Sequence, residues 1–399
     1  MAVWMYSHWV TEDPHPCLPD ASDVHEFPDA RRHGSPLKGR GTATRLAHRF
    51  ETWQRHADAS HTPGGHGAGA DPETGDDDAA LRPAATTVSH EQARSLLSRN
   101  DSPDIPFTWA LNPYRGCEHG CIYCYARPTH SYLNLSPGLD FETQLVAKVN
   151  AADVLRRELA RPSHEASPIA IGSATDAYQP VERELKITRQ VLEVLVGCGH
   201  AFSIVTKSAT ILRDVDLLAQ AASQQAAYVM ISLTTLDAEL HRRLEPRTAA
   251  PHKRLEVVRK LAEAGIPVGV NVAPIIPFVN EPEIERLIEA AAQAGARSVH
   301  YTVVRLPWEV APLFRQWLQD HMPLKADRVM ARIQDMRGGQ DYRADFAHRM
   351  KGQGLWADLI RQRVNKARDR FGVTGTGPAL NMAGFVRPER PGERQASLF

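Results

Sequence analysis

From about residue 105 the chain alternates short apolar runs with amphipathic stretches. The runs TWALNP (108–113), PIAIGSA (168–174), AFSIVTK (201–207), YVMISLT (228–234), PVGVNVAPI (267–275) and SVHYTVV (298–304) are short, nearly continuous and rich in β-branched residues, which predicts buried strands. Between them ITRQVLEVLVGC (187–198), HKRLEVVRKLAEAG (252–265) and PEIERLIEAAAQAG (282–295) carry apolar residues at helical spacing, and the last two end in Ala-Gly, a stop signal that uses glycine as a left-handed cap. Near-continuous apolar strands separated by helices predict a parallel sheet covered on both faces. About six such units make an α/β fold, a partial (β/α)6 TIM-type barrel whose chemistry belongs at the C-terminal ends of its strands.

The flanking regions read differently. Residues 1–85 predict a mostly disordered tail, because HTPGGHGAGADPETGDDDAA (61–80) cannot bury enough apolar surface to offset chain entropy. One island there, 37–53, reads as a helix with Leu46, Phe50 and Trp53 on one face, suited to docking onto the body or contacting a ligand. The eight histidines before residue 70 are scattered through this tail, and metal ligation needs fixed geometry. The barrel is expected over 86–305. Residues 306–371 predict a helical, basic extension, with an excess of six positive charges over 305–370, and 372–399 predict a flexible tail.

The 399 residues are 42% hydrophobic and 24% charged with zero net charge, which allows a sizeable core and gives no global bias toward nucleic acid. No apolar run approaches the roughly 20 residues that span a bilayer, and the first residues lack the pattern of a secretory signal, so a cytoplasmic location is expected. Five cysteines do not make a disulfide framework in so long a chain. Three of them, Cys117, Cys121 and Cys124, fall within eight residues in NPYRGCEHGCIYCYARP. Three thiolates on one loop can ligate three corners of a four-iron cubane and leave the fourth iron open, and Gly116 and Gly120 let the backbone curl around such a cluster. A structural zinc site would instead need His119 or His130 as a fourth ligand and usually shows paired CxxC spacing. Cys17 and Cys198 read as incidental thiols.

CEHGCIYCYAR resembles the CxxxCx(aromatic)C signature of the radical S-adenosylmethionine (SAM) superfamily. The wider text over about 105–355 resembles its spore photoproduct lyase or DNA repair photolyase-like branch, through IGSATDAYQPVERELKITRQVLE, LEPRTAAPHKRLEVVRKLAEAGIPVGVNVAPIIPFVNE and RGGQDYRADFAHRMKGQG. The resemblance implies a [4Fe-4S] cluster on Cys117, Cys121 and Cys124, and SAM as second cofactor. It implies SAM contacts from Tyr123, from Gly172, Ser173, Thr175 and Asp176 after the second strand, from Thr206 and Lys207 after the third, from Ser232 on the fourth, and from Asn271 to Pro274 on the fifth. The structural alternative for these polar residues is ordinary capping and turn chemistry. Asp176, Gln179, Glu182 and Arg183 are equally open to substrate duty. Spore photoproduct lyases carry a hydrogen-donating cysteine after the second strand, whereas IGSATDAYQ has none, which leaves Tyr178 as the candidate hydrogen donor and the lyase reaction in doubt.

The implied reaction is reductive cleavage of SAM to a 5′-deoxyadenosyl radical that takes hydrogen from an unactivated carbon. A flavodoxin- or ferredoxin-type reductant is implied, since no second cysteine set offers an internal relay. Trp308, Trp317, Tyr342 and Trp356 among the basic residues of the extension point to a DNA or RNA substrate, against the plainer reading of a solvated helical cap. The end of the chain, Gln395, Ala396, Ser397, Leu398 and Phe399, resembles the short peptide with which bacterial repair proteins attach to the DNA sliding clamp, with Gln395, Leu398 and Phe399 as the contact residues. The alternatives are a radical SAM enzyme acting on a protein or small metabolite, and a non-catalytic iron–sulfur binding protein.

Overall fold

The computed structural model describes residues 39–50 and 85–389, together with residues 31, 32 and 37. Seven strands form one sheet: β1 (Leu97–Arg99), β2 (Trp109–Leu111), β3 (Ile169–Ile171), β4 (Phe202–Thr206), β5 (Ala227–Ser232), β6 (Val268–Ile275) and β7 (Ser298–Val303). They lie side by side in chain order, β2 to β7 parallel and β1 antiparallel to β2. One row of this sheet runs Leu111, Ile171, Ile204, Val229, Val268, and every member is buried. Register follows burial here, because a one-residue slip would turn each of these side chains to the wrong face.

Helices return the chain between strands: α1 (Ala151–Leu159), α2 (Ile187–Gly197), α3 (Val215–Ser223), α4 (Pro251–Glu263) and α5 (Ile284–Gln293). Their apolar residues pack on the sheet, as with Val191, Leu192 and Leu195 of α2 and Leu287, Ile288 and Ala291 of α5. The sheet does not close, and β7 is its edge. That edge is covered rather than left to pair: Val299 donates to the Thr374 carbonyl (2.9 Å) and Val303 to the Met350 carbonyl (2.9 Å), while the Lys351 ammonium donates to the Tyr301 carbonyl (2.5 Å). Three helices complete the extension, α6 (Val310–His321), α7 (Ala326–Asp335) and α8 (Gly354–Phe371), the last packed along α5.

The described part of the N-terminal region is not a helix. Residues 44–45 pair antiparallel with 31–32, and the backbone bonds outward, Leu46 N–H to Ser136 Oγ (2.9 Å) and Gly41 N–H to Glu142 Oε2 (2.9 Å). Donors spent on the barrel are not available to a helical ladder, so Leu46 enters the core from an extended segment, while Trp53 lies outside the described residues. Of the early histidines only His48 is described, bonded to Asn134. At the other end, residues 372–389 cross the barrel: Thr374 bridges Ser298, and Phe385 packs on His164 and His200. Cys17, Gln395, Leu398 and Phe399 lie outside the described residues. Among the described residues no helix is long and apolar enough to cross a membrane.

The extension's cations are largely occupied by the protein itself. Arg363 holds Glu281 and Glu285, Arg315 holds Asp341, Arg361 holds Asp358, and Arg368 caps the Val299 carbonyl. Trp317 is buried against Phe314, and Trp356 packs on Phe278. The basic excess over 305–370 is therefore mostly internal pairing, and a nucleic-acid face on α8 is not what these contacts make.

Candidate cofactor-binding active site

The cysteine loop leaves β2 and is braced at its start by a small sheet in which 144–148 pairs with both Thr87–Glu91 and Tyr114–Arg115. Gly116 and Gly120 both have positive φ (75° and 66°), and space is as restrictive as conformation. A Cβ on Gly116 would meet His130 Cε1 at 2.8 Å, and one on Gly120 would meet Glu142 Oε2 at 2.7 Å. The carboxamide of Gln179 clamps the loop from within, accepting from Glu118 N–H (2.9 Å) and donating to the Gly116 carbonyl (3.2 Å).

The Leu244–Arg247 segment beyond β5 grips the same loop. The Leu244 carbonyl accepts from Ile122 N–H (3.1 Å), Arg247 N–H donates to the His119 carbonyl (3.3 Å), and the Arg247 side chain pairs with Glu118 (3.0 Å). Glu245, fully buried, accepts from the Tyr123 hydroxyl, from Thr234 Oγ1 (2.7 Å) and from Arg254. Burial alone would raise its pKa, but Arg254, Lys207 and those hydroxyls outweigh burial and hold it at about 2.

Cys117, Cys121 and Cys198 are buried, Cys124 is half-buried, and all four are free thiols. Burial pushes the Cys117 thiol well up, with Asp176 and the neighbouring sulfurs adding to it. Burial likewise raises Cys121, with Glu245 adding and Lys207 opposing. Thiolates here need a positive centre on which to place their charge. Among the described residues no three His, Cys, Asp or Glu side chains converge as they would on a single ion. The two histidines a zinc site would recruit are engaged elsewhere: His119 Nδ1 lies 3.3 Å from Asp176, and His130 Nε2 lies 2.8 Å from the Gln144 carbonyl.

The strand ends opposite the loop bring several expected residues together. Asn112, just past β2, accepts from Ala174 N–H (2.9 Å) and Thr175 N–H (3.3 Å) and donates to Ser173 Oγ (3.3 Å), which shapes the GSATD turn after β3. Gly172 opens that turn at φ 84°, where a Cβ would meet the Val205 carbonyl at 2.8 Å. Asp176 accepts from Thr206 Oγ1 (2.7 Å) and Lys207 N–H (2.8 Å). Burial would raise Asp176, but His119, Lys207 N–H and Thr206 overcome it and hold the carboxyl at about 2. The Lys207 ammonium stands 4.0 Å from Glu245 and 6.0 Å from the Tyr123 ring centre, so one cation sits beside the thiols.

Residues 111–291 match the family model of the Radical SAM superfamily. A domain of this superfamily takes a [4Fe-4S] cluster and SAM, and the residues present fit both: three free thiols on a loop too tight for side chains at its glycines, facing polar turns at the parallel strand ends. The chain is similar, at 40% identity over 216 residues, to an uncharacterized protein of Mycobacterium tuberculosis, covering 54% of this chain and 64% of that one. It is also similar to an uncharacterized protein of Methanocaldococcus jannaschii, at 31% identity over 175 residues, covering 44% and 63%. The chain thus spans less than two thirds of the length of the curated relatives it matches. Among solved structures, spore photoproduct lyase complexed with dinucleoside spore photoproduct aligns at TM-score 0.47 and 17% identity, covering 71% of this chain and 79% of that one.

Other expected residues of the radical SAM site fall elsewhere. Ser232, Asn271 and Pro274 sit at neighbouring strand ends, and their hydrogen bonds stay in the barrel wall: the Ser232 carbonyl takes Arg254, the Asn271 carbonyl takes Leu233 N–H, and the Pro274 carbonyl takes Asn280. Gln179 and Glu182 are fully buried, Gln179 as the loop clamp and Glu182 on the Tyr114 hydroxyl and Arg213, so neither is placed to meet a substrate. Tyr178 is also fully buried, its hydroxyl donated to Asp214 (3.0 Å), and lines no open space. Tyr125, directly after Cys124, is by contrast 47% exposed, with its hydroxyl donated to the Ser173 carbonyl. Sequence reading missed Tyr125, Asn112, Glu245 and Arg254, although the stretches NPYRGCEHGCIYCYARP and LEPRTAAPHKRLEVVRK contain all four.

Proposed function

We propose that this chain is a radical SAM enzyme that acts on nucleic acid, and the observation that carries the reading is the trio of free thiols, two buried and one half-buried, at the mouth of the parallel barrel. Cys117, Cys121 and Cys124 would hold the cluster, and the polar turns after β3 and β4 lie across the mouth from their loop. With both cofactors bound, the cluster and SAM supply one-electron cleavage of the sulfonium to a 5′-deoxyadenosyl radical that removes a hydrogen atom from substrate. The chain's own work is positioning. Ser173, Thr175 and Asp176 offer backbone and carboxylate partners to an amino group, Lys207 offers a cation to a carboxylate, and the Glu245–Arg254 pair fixes Tyr123 behind the loop. Electrons come from an external one-electron carrier of the flavodoxin or ferredoxin class.

The nucleic-acid part of the reading is supported by Arg305, Tyr125, Tyr342 and Trp308 at the mouth, where guanidinium and aromatic rings alternate. A role for Gln395, Leu398 and Phe399 in holding a sliding clamp belongs to the same reading. It is dropped if clamp pull-down persists after residues 395–399 are deleted.

Anaerobic reconstitution tests the core claim. Full-length protein is expected to bind iron and sulfide in equal number and to release 5′-deoxyadenosine from SAM with a strong reductant, and Cys121→Ala is expected to lose both. Zinc in place of iron and sulfide would end the proposal.

A further inference from the structure

Charged groups around the mouth are nearly all matched. Glu118 pairs with Arg247, Glu245 with Arg254, Glu309 with Arg49 and Asp104 with Arg349. Arg305, two residues past the end of β7, breaks this pattern. Its Nη2 reaches the Tyr342 hydroxyl at 3.3 Å and its Nη1 reaches Met350 Sδ at 3.5 Å, and its buried Nε has no acceptor. Among the described residues no carboxylate pairs with it. A phenol and a thioether are weak partners for a guanidinium, which has five donors in a rigid fork.

Its neighbour Arg337 shows the contrast. That side chain is fully buried, has no carboxylate partner among the described residues and also leaves its Nε without an acceptor, but its two Nη atoms donate to the carbonyls of His348, Arg349, Val303 and Val304. Arg337 thereby folds the loop after α7 over the end of β7 and brings Tyr342 and Met350 to Arg305. Arg337 is a structural fastener; Arg305 is left with donors to spare. Its guanidinium carbon lies 4.9 Å from the centre of the Tyr125 ring, and Tyr125 follows the ligand Cys124 directly. The unmatched cation therefore stands at the open side of the cluster loop.

We propose that Arg305 binds a backbone phosphate of a single-stranded or extruded nucleotide and so sets the substrate's position against the cluster and SAM. A phosphate offers the planar fork two acceptors at once. The surroundings favour a nucleotide over a simple carboxylate: Tyr125 and Tyr342 flank the guanidinium, Trp308 lies 6.4 Å from Tyr342, and Arg49 stacks over Trp308 (4.3 Å) and Phe50 (4.7 Å). Rings for bases and cations for phosphates, alternating outward from the reaction centre, suit a strand whose bases are unpaired. This inference rests on the nucleic-acid reading above and deepens it.

The test is fluorescence anisotropy with a labelled single-stranded oligodeoxynucleotide and the full-length, cluster-loaded protein over a salt series. Arg305→Gln is expected to weaken binding about tenfold at low salt and to lower the slope of log K against log salt by about 0.7, the share of one phosphate contact. Arg305→Lys, which keeps the charge, is expected to retain the slope. Arg361→Gln, on the exposed face of α8 and paired with Asp358, is expected to bind like wild type. Wild-type affinity and slope in Arg305→Gln would overturn the assignment while leaving the nucleic-acid reading in place, and so would loss of binding in Arg361→Gln as large as in Arg305→Gln. Wild-type protein that cleaves SAM but binds no oligonucleotide at low salt would overturn both.

Discussion

Arg127 and Glu142 are both fully buried beneath the cysteine loop, 2.5 Å apart; Arg127 closes the CEHGCIYCYAR stretch, and no motif marks Glu142. Arg127 also donates to the carbonyls of Cys121 (3.0 Å) and Gly138 (2.9 Å), so one guanidinium ties the loop to the segment behind it. Removing one partner of such a pair strands the other charge in a low-dielectric interior. Arg127→Met is expected to cost roughly 3–5 kcal/mol in chemical unfolding, and adding Glu142→Leu is expected to recover part of the loss. Equal stability of the single and double variants would refute this account. Gly120 makes a related point at the same contact. Gly120→Ala places a Cβ against Glu142 in a left-handed backbone and is expected to cost more than Gly39→Ala, whose φ is also positive (72°) but whose Cβ would meet nothing, a penalty of about 1 kcal/mol. The check is the difference between the two unfolding midpoints.

Secondary elements divide into those that announce themselves locally and those defined by distant partners. The six parallel strands are apolar on both faces because helices cover them, so runs such as AFSIVTK and PVGVNVAPI are readable without a fold. Thr87–Glu91 is mostly exposed and polar, and it becomes a strand only by pairing with residues 144–148, more than 50 residues away. The cysteine spacing announces the cluster in the same local way. Glu245 and Arg305 do not announce themselves, because their meaning lies in contacts made across more than a hundred residues. The histidine pair behind β3 and β4 is another such case. His200 Nδ1 faces the Ala201 carbonyl (3.0 Å) and must carry a proton, so in the neutral ring Nε2 accepts from His164 Nε2–H (3.1 Å). Burial, with His164 adding to it, lowers His200 to about 4. Because the folded value lies below the ordinary 6.5, the unfolded chain binds the extra proton first. Stability present above pH 6.5 is then lost as pH falls toward 4, by about 3 kcal/mol at the low end. Denaturation curves at pH 7 and pH 5 should show the decline, and His200→Asn should flatten it.

At the level of the whole molecule, the active-site loop is covered by part of the island at 37–53, the one stretch of the N-terminal region whose apolar residues suggest docking. Residues 39–50 lie directly on it. Gly41 is so close that a Cβ would run into the Gly120 carbonyl, and Arg40 donates to the Glu142 carbonyl (2.7 Å) and to Thr86 (2.8 Å). Further along, Arg49 pairs with Glu309 (3.0 Å) at the start of α6, joining this segment to the extension on the far side of the mouth. The segment is short and polar, so its own hydrophobic pattern is weak, and its order derives from hydrogen bonds to groups the barrel leaves unsatisfied. A cluster exposed to water and oxygen is lost, so a cover on its loop should govern retention of the metal as much as the thiols do. Removal of residues 1–30 is expected to leave iron per chain close to wild type after anaerobic reconstitution. Removal of residues 1–50 opens the loop and leaves the Glu309 carboxylate, 2% exposed, without its partner. That chain is expected to hold less than about half the iron and to bleach faster in air, and full-length Gly41→Ala should shift in the same direction by steric conflict alone. Equal iron content and equal bleaching rates in the two truncations would show that the segment decorates the barrel and does not seal its site.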